Sequence, residues 1–365
     1  MAGKQGGRSG GKPSRGGKGG KGAVRRGRRF AGSLGAFMTI IALLGCLARE
    51  LPADLQSLPW VPVVVAAAPW FVLPAILGVV FGAIGRRGFT VVVALACIGL
   101  QAWWQYPYFA ASRPLPAEAG SAVSQASAVT TDRYARVMTC NVYQGRADAA
   151  TIVGLVRDQR VEVLALQETS DDFVAALDAA GIGDYLPYAQ VASSDGIYGN
   201  GIWSATPLGS PRDDDVDSSA SFMPGGTVTF GDPTGSDGTG AVDIRFVSVH
   251  TTSPTRGYWA QWRRSLDELA LMRADTDTRY VFMGDFNATT DHTPFRSFLG
   301  TRFVDAAMAA GHGFAFTWPA DRFGVPRFAG IDHIVLDRGI MVGQVTTAKV
   351  PGSDHAALIA TIAVE

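Results

Sequence analysis

The chain has 365 residues, of which 47% are hydrophobic, and it carries 32 basic residues, 32 acidic residues and three cysteines. This length allows two or three structural units, and with Cys140 alone after residue 108, a disulfide-rich or multi-cysteine metal site is excluded there. The zero net charge hides an asymmetry, because from Gly120 onward there are 18 basic and 29 acidic residues, a net charge of −11. Such a surface repels polyanions and disfavours nonspecific binding of nucleic acid.

Residues 1–29 form a basic tail of mostly Gly, Ser, Lys and Arg, with ten basic residues and no acidic ones. This composition cannot bury a core, so the tail is predicted to be disordered. It is typical either of a nucleic-acid-binding arm or of a segment that anchors the topology of a membrane protein.

Three uncharged apolar stretches, 31–48, 58–85 and 89–108, follow the tail. A membrane-spanning helix needs about 20 apolar residues, so three transmembrane helices are predicted over residues 30–108. A cleaved signal peptide would explain the first stretch but not all three. Buried core helices are the other alternative, although they seldom lack charges over such lengths.

Basic residues predict the orientation of these helices. Arg86 and Arg87 lie between the second and third stretches, whereas the first link carries Arg49, Glu50 and Asp54. The positive-inside rule places the N-terminus in the cytoplasm, and three crossings leave the rest of the chain outside the cell. We therefore expect a multi-pass plasma-membrane protein whose partner is the lipid bilayer, with no obligate protein partner evident.

Residues 109–131 are rich in Ala, Ser and Pro without a period and are predicted to be a linker. Residues 132–365 are then one α/β domain. In it, the buried strand 280–283 ends at Gly284, and Asp285 and Asn287 follow two residues apart, so that they project to the same side of extended backbone. Other polar groups lie at strand ends or in the last loops: Asn141, Glu168, His250, Asp332, Asp354 and His355.

The carboxylates of this set suit a metal ion. Glu168, Asp285 and Asp354 can hold a hard divalent cation, and without a cysteine cluster Mg²⁺ or Mn²⁺ is favoured over Zn²⁺. Each carboxylate taken alone is equally consistent with a structural role in a turn. Their joint occurrence favours metal-assisted attack on phosphorus.

The remaining side chains suit the phosphate and its protons. The amides of Asn141 and Asn287 can orient phosphate oxygens, and His250 and His355 can move protons or stabilise charge. Asp332 can fix the tautomer of His355 and raise its basicity.

In chain order, these motifs resemble those of the endonuclease/exonuclease/phosphatase superfamily, which has the deoxyribonuclease-I-like fold. The matching blocks lie within residues 134–364 and are CNVYQG, LALQE, GNGIWSATPL, VSVHTTSP, GDFNATTDHTPF, GIDHIVLD and GSDHAALIATI. The resemblance implies a four-layer α/β sandwich, with two mixed β-sheets face to face, helices outside and the site at one rim.

The resemblance also implies which residues bind a metal. Glu168 would be the principal ligand, helped by Asn141. Asp354 would support the metal or His355.

For catalysis, the resemblance implies that Asp285 and Asn287 bind or orient the nucleophile and the phosphate. His355, paired with Asp332, would be the general base or a charge stabiliser, and His250 would donate to the phosphate or the leaving oxygen. The reaction would be in-line attack by water.

Three apolar stretches before an outward-facing domain resemble most the membrane-anchored bacterial phosphatases, the group that includes teicoplanin-resistance phosphoesterases. A lipid-linked phosphate or pyrophosphate of the envelope is therefore the expected substrate, because tethering concentrates the domain near the bilayer.

An extracellular nuclease is the alternative, although the sequence has no dense basic and aromatic strip. A catalytically inactive binding module is a third hypothesis. The motifs leave open which phosphate bond is cleaved, whether one or two metals bind, and the oligomeric state.

Overall fold

The structure divides the chain into two compact units. It is a computed structural model that describes residues 18–120, 132–231 and 240–364, with side chains from residue 23 onward. Within these residues, one unit comprises 18–44 and Trp70–Gln101, and the other comprises Gly45–Pro69 and 102–364. The first 17 residues of the predicted tail and residues 121–131 of the predicted linker lie outside the described part of the chain.

A long helix, α1 (Lys18–Arg49), begins inside the predicted tail. Residues 18–29 were predicted to be disordered, but they form its first turns. The apolar residues that follow favour helix, and the helix continues backward through the basic residues because Arg and Lys have high helix propensity.

Among the described residues, two helical segments, rather than the three predicted, are long and apolar enough to cross a membrane: Ala23–Arg49 and Gly88–Phe109. The second predicted span is divided into short pieces, because each of its prolines removes a backbone donor and fixes φ. After α2 (Ala53–Gln56) come α3 (Val61–Ala66), a 3₁₀ turn at Ala68–Phe71 and α4 (Val72–Ile84), followed by α5 (Gly88–Gln105).

Each of two six-stranded sheets contains one parallel pair of strands at its centre. The first sheet is built from β1 (Tyr134–Asn141), β2 (Val163–Gln167), β3 (Tyr188–Ala192), β4 (Asn200–Ser204), β11 (Ile340–Lys349) and β12 (Ala356–Val364). The second is built from β5 (Gly209–Arg212), β6 (Gly225–Phe230), β7 (Val242–His250), β8 (Tyr280–Asp285), β9 (Val304–Asp305) and β10 (Asp332–Leu336). The first sheet has the strand order β11-β12-β1-β2-β4-β3, and the second has the order β5-β6-β7-β8-β10-β9.

The main core lies between the two sheets, where fully buried side chains such as Val137, Ile202, Phe246 and Met283 pack together. Helices cover the outer faces. Further apolar clusters pack α6 (Ala149–Gln159) and α7 (Asp171–Ala179) on the first sheet, and α8 (Trp259–Leu271) and α9 (Thr293–Leu299) on the second. A short helix, α10 (Ala306–Ala310), follows β9. Two mixed sheets flanked by helices confirm the predicted α/β fold.

Two segments predicted to be irregular are ordered parts of this domain. Residues 225–240 have many turn residues and no period, a pattern that predicts a surface loop, yet Gly225–Phe230 forms β6 and pairs with β7. Part of the predicted linker also packs on the domain, since the backbone N–H groups of Ser112 and Arg113 donate to the carbonyl of Ala309, and the N–H of Val342 donates to that of Arg113.

Strand direction gathers the polar residues at one edge. The pairs β1–β2 and β7–β8 are parallel, so their carboxyl ends lie side by side. The antiparallel neighbours β4, β10 and β12 begin at the same edge. In the second sheet His250, Asp285 and Asp332 are register partners on three adjacent strands.

Candidate active site

Asp285 lies at the centre of this edge and is 1% exposed. The strand reaches it through Gly284, whose φ is +155° and where a Cβ would lie 1.9 Å from the carbonyl oxygen of Val249. Glycine therefore lets β8 approach β7 closely enough to bring Asp285 beside His250.

Asn141 joins the two sheets at the site. Its Nδ2 donates to Glu168 Oε1 at 3.0 Å and to Asp285 Oδ2 at 3.1 Å. Glu168 follows β2 with a left-handed backbone, φ +62°, and its Oε2 accepts the N–H of Gln144 at 2.8 Å. A non-glycine residue held in this conformation costs free energy and often marks a functional position. Two buried carboxylates thus converge on one amide.

His355 is held between two carboxylates. Its Nδ1 lies 2.8 Å from Asp332 Oδ2, and its Nε2 lies 3.7 Å from Asp285 Oδ2. Burial alone would lower the pKa of His355, but the charges of Asp332 and Asp285 and the hydrogen bond to Asp332 outweigh it and raise the pKa to about 10. The two carboxylates therefore favour the charged form of the ring, and a metal ion beside Asp285 would bring this pKa down.

The pKa of Asp285 is raised to about 6. Burial is the main cause and the charge of Asp332 adds to it, whereas His355, His250 and the N–H of Asn287 act in the opposite direction. Its ionised form is thus destabilised by the surrounding protein, and a nearby cation would stabilise that form.

His250 closes the site on the side of β7. Its Nδ1 lies 3.0 Å from the carbonyl oxygen of Ile197, which can only accept, so Nδ1 carries a proton. Nε2 lies 3.7 Å from both Glu168 Oε1 and Asp285 Oδ2. The ring nitrogen that faces the carboxylates is therefore Nε2.

Asn287 also has a left-handed backbone, with φ +47°. Its N–H donates to Asp285 Oδ1 at 2.8 Å, and its Nδ2 donates to the carbonyl of Thr251 at 2.9 Å. The hydroxyl of Ser253 donates to its Oδ1 at 2.7 Å. These bonds fix the amide beside Asp285.

Asp354 lies at the rim of the site. Its Oδ1 is 3.9 Å from His355 Nε2, and its Oδ2 accepts a hydrogen bond from Trp318 Nε1 at 3.3 Å. Burial is the main reason that the pKa of Asp354 is raised. Among the described residues, Asn141 donates to Glu168 and Asp285, and no hydrogen bond joins it to Asp354.

The donor set fits a divalent cation. Among the described residues, possible ligand atoms of Asp285, Asp332 and His355 lie within 4.8 Å of one another. Oδ1 of Asp332 is buried and has no hydrogen-bond partner, and Glu168 adds a further carboxylate beside Asp285. Oxygen donors of this kind suit a hard cation.

All eight predicted site residues thus lie at one edge of the sandwich, whereas the motifs did not point to several residues that support them. Four of those lie inside the recognised blocks, where proximity in sequence could have revealed them: Gln144, Gln167, Ser253 and Ser353. A fifth, Trp318, lies outside these blocks and gave no pattern in the sequence. Gln167 Nε2 donates to Ser248 Oγ at 3.0 Å and so joins the two sheets behind the site.

Several solved structures are similar to this chain. Truncated TDP2 of Caenorhabditis elegans is 17% identical, with a TM-score of 0.49, over 63% of this chain and 98% of that chain. An endonuclease/exonuclease/phosphatase of Bacteroides vulgatus is 18% identical, with a TM-score of 0.48, over 64% and 99%. One from Beutenbergia cavernae is 16% identical, with a TM-score of 0.46, over 64% and 72%.

No relative matches among the curated proteins. The family model of the endonuclease/exonuclease/phosphatase family matches residues 138–355, which is more than half of the chain and includes every predicted site residue. The chain therefore belongs to the endonuclease/exonuclease/phosphatase family.

Proposed function

We propose that this protein is a membrane-anchored, outward-facing phosphoesterase that depends on Mg²⁺ or Mn²⁺ and hydrolyses a lipid-linked phosphate or pyrophosphate. Family members are hydrolases that act on phosphoester bonds. The observation that carries the proposal is the convergence of Glu168, Asp285 and the Asp332–His355 pair at one edge of the sandwich.

Glu168, Asn141 and Asp285 would hold the cation, with Asp332 or Asp354 beside them. When bound, the cation polarises a phosphoryl oxygen and neutralises developing negative charge. Its binding also relieves the repulsion between the buried carboxylates.

The protein's own side chains would orient the reactants. Asp285 would accept a hydrogen bond from the attacking water, and the amide of Asn287 and Nε2 of His250 would orient phosphate oxygens. The charged ring of His355 stabilises negative charge on the phosphate, and Asp332 keeps its Nε2 pointed into the site.

Exposed apolar side chains support the membrane anchor. Large side chains on α1, α4 and α5 are exposed, among them Phe37, Leu44, Leu77, Ile84 and Val92. A soluble protein rarely leaves such continuous apolar surface uncovered. Lipid would cover it.

Close helix packing supports a crossing by α4 although it is only 13 residues long. Gly78 and Gly82 form a GxxxG pattern, and a Cβ on Gly35 of α1 would lie 2.5 Å from the backbone nitrogen of Gly82. Glycines that let two backbones approach are typical of helix pairs in membranes. With the preceding 3₁₀ turn, the apolar segment Ala68–Ile84 is roughly 25 Å long.

Chain connectivity supports the orientation. Residues 45–69 and 102–109 belong to the same compact unit as the catalytic domain, so the chain enters residues 70–101 from that unit and continues from them into it. If α5 crosses, α4 must therefore cross in the opposite direction. Arg86 and Arg87 lie in the turn between α4 and α5, and further basic residues lie at the start of α1. The positive-inside rule would place both of these basic segments in the cytoplasm.

The substrate class is argued from this anchor and from charge. A domain tethered beside a bilayer meets lipid-borne phosphates at a high effective concentration. The net charge of −11 after residue 120 disfavours polyanionic nucleic acid.

The full-length chain, purified in detergent, tests the proposal. We expect Mg²⁺-dependent release of phosphate from an isoprenyl pyrophosphate or phosphatidic acid, loss of activity with EDTA, and recovery with Mn²⁺. The His355→Ala variant, assayed in parallel, should be inactive. Efficient cleavage of plasmid DNA with Mg²⁺, without turnover of any lipid phosphate, would show that the nuclease alternative is correct.

A further inference from the structure

The loop after the Asp285 strand is held by chain segments that lie outside the family domain. Residues 288–293, called here the 288–293 loop, join Asn287 to α9. Its side chains from Thr289 to His292 are all at most 6% exposed. Their partners come from residues 45–69 and 102–109, which precede the family match at residue 138.

A buried ion pair forms the centre of this contact. Nε of Arg49 lies 2.6 Å from Asp291 Oδ1, and the two side chains are 10% and 3% exposed. The guanidinium also lies 4.3 Å from the ring centroid of Trp104, and Gln105 Nε2 lies 3.4 Å from the same carboxylate oxygen. A buried carboxylate that loses its cation is strongly destabilised.

Neutral hydrogen bonds surround the ion pair. His292 Nδ1 accepts the N–H of Thr289 at 2.8 Å, so its Nε2 donates to the carbonyl of Pro62 at 2.9 Å. The hydroxyls of Tyr108 and Thr290 lie 2.7 Å apart. Three consecutive residues of the loop, 290–292, thus depend on these outside segments.

The same segments hold the start of α9. Gln56 Oε1 accepts the N–H of Thr293 at 2.7 Å, while its Nε2 donates to the carbonyl of Arg49 at 2.9 Å. The hydroxyl of Thr293 donates to the carbonyl of Leu51 at 2.9 Å. One glutamine therefore joins the end of α1 to the first turn of α9.

The loop is connected directly to the site. The carbonyl of Ala288 accepts from His333 Nε2 at 2.8 Å, and that of Asn287 accepts from Trp262 Nε1 at 2.9 Å. The N–H of Asn287 in turn donates to Asp285 Oδ1. A shift of the loop would therefore turn the carboxylate of Asp285.

We propose that residues 45–69 and 102–109 are part of the active-site support, and that Arg49 is a positioning residue that keeps Asp285 and Asn287 in their catalytic geometry. This inference rests on the proposed phosphoesterase function. It means that the anchor holds the catalytic loop in place in addition to tethering the domain.

The test uses the full-length chain in detergent, with Mg²⁺ and bis(p-nitrophenyl) phosphate as the probe. Arg49→Gln and Asp291→Asn each break the ion pair, and R49Q/D291N replaces it by a neutral pair. Arg263→Gln is the matched control, because Arg263 also joins the 45–69 segment to the domain, through an exposed contact with Asp54 at 2.8 Å. Hydrogen exchange of peptides covering residues 284–290 gives a readout that does not depend on activity.

We expect each single variant to lower kcat by about tenfold or more with KM changed less than about threefold, because a small misplacement of reacting groups has a large effect on rate. Exchange at Asn287 should accelerate while exchange in β1 and β12 stays slow. The double variant should recover part of kcat, and Arg263→Gln should match the wild type. If the single variants fail to fold, Tyr108→Phe and Gln56→Ala remove one neutral contact each and should give the same pattern with smaller changes.

Unchanged exchange at Asn287 in the single variants, or an equal loss of kcat in Arg263→Gln, would overturn the inference. Accelerated exchange with wild-type kcat would overturn the positioning role. A wild-type protein inactive on bis(p-nitrophenyl) phosphate and on lipid phosphates would instead contradict the proposed function, and hydrogen exchange would still decide whether the segments hold the loop.

Discussion

At the scale of single residues, the Asp332–His355 pair sets the electrostatics of the site. Asp332 supports His355 with a hydrogen bond of 2.8 Å, and its other carboxylate oxygen is buried without a partner. The pair therefore keeps a charged ring beside Asp285 and leaves one oxygen that a cation could satisfy. Removing the imidazole of His355 should therefore lower activity by a different amount from removing only the negative charge of Asp332.

His355→Ala should lower kcat by about 1,000-fold or more, and Asp332→Asn by about 100-fold, because the amide keeps the shape but no longer stabilises the charged ring. Initial rates on bis(p-nitrophenyl) phosphate at saturating Mg²⁺ measure both. His312→Ala is the control, since that histidine is exposed. An Asp332→Asn enzyme with wild-type kcat would contradict the assigned role.

Glu162, which immediately precedes β2, makes stability depend on pH. Burial, followed by the charge of Asp132, raises the pKa of Glu162 to about 8, and its Oε2 has no hydrogen-bond partner. The native state therefore holds a proton that the unfolded chain releases near its ordinary pKa. The contribution of Glu162 to the free energy of unfolding is fully present below about pH 4.5, decreases as the pH rises, and is lost above about pH 8.

Glu162→Gln should remove this dependence. At pH 9 the variant should be more stable than the wild type by up to about 5 kcal/mol, and at pH 4.5 the two should be alike. Thermal unfolding of the full-length chain at both values measures the difference. Asp178→Asn, an exposed helical site, controls for the change of charge, and equal unfolding temperatures at pH 9 would refute the prediction.

The site residues were predictable individually because each follows or precedes a strand with a clear apolar pattern, as Asp285 does. Their convergence follows from the parallel pairs, since parallel strands bring their carboxyl ends together. The partners of the 288–293 loop were not predictable. Arg49 and Asp291 are 242 residues apart in sequence, and no local periodicity reports a pairing of that kind.

At the scale of elements, glycine decides how closely β8 can approach β7. At Gly284 a Cβ would meet the carbonyl oxygen of Val249 at 1.9 Å, whereas at Gly154, inside α6, a Cβ would meet nothing within 4 Å. Substitution by alanine is therefore expected to change stability in opposite directions at the two positions.

Gly284→Ala should destabilise the protein by about 3 kcal/mol or more, because backbone cannot move aside as a flexible side chain does. Gly154→Ala should stabilise it by about 0.5–1 kcal/mol through the helix preference of alanine. The unfolding temperature followed by circular dichroism measures both. A Gly284→Ala protein as stable as the wild type would contradict the close approach.

Elements were predictable from sequence where one clear period held, as in β7, where apolar and polar residues alternate at the start of Val242–His250. They were missed where composition and tertiary pairing disagree. The glycines at 225 and 226 favour a turn, but pairing with β7 makes them strand. Hydropathy alone likewise predicted one long span over 58–85, where prolines divide the helix.

At the scale of the whole molecule, connectivity limits the possible topologies. Residues 45–69 and 102–109 belong to one compact unit with the catalytic domain, so α4 and α5 cross together or not at all. The three native cysteines are buried, which gives a low background for labelling new ones. The turn before α5 and the loop near the active site are therefore informative positions.

In intact cells, Asp195→Cys should react with a membrane-impermeant maleimide, and Gly88→Cys should react only after the membrane is permeabilised. Both positions are exposed on the protein, so a membrane between them is the physical reason for any difference. Labelling is read as a mass shift on gels, with the unmodified protein as background.

Reaction of Gly88→Cys in intact cells would mean that α4 and α5 stay on the outer side and that α1 alone anchors the protein. Reaction of neither variant before permeabilisation would instead place the catalytic domain inside the cell, where a lipid phosphate of the inner leaflet would have to be the substrate.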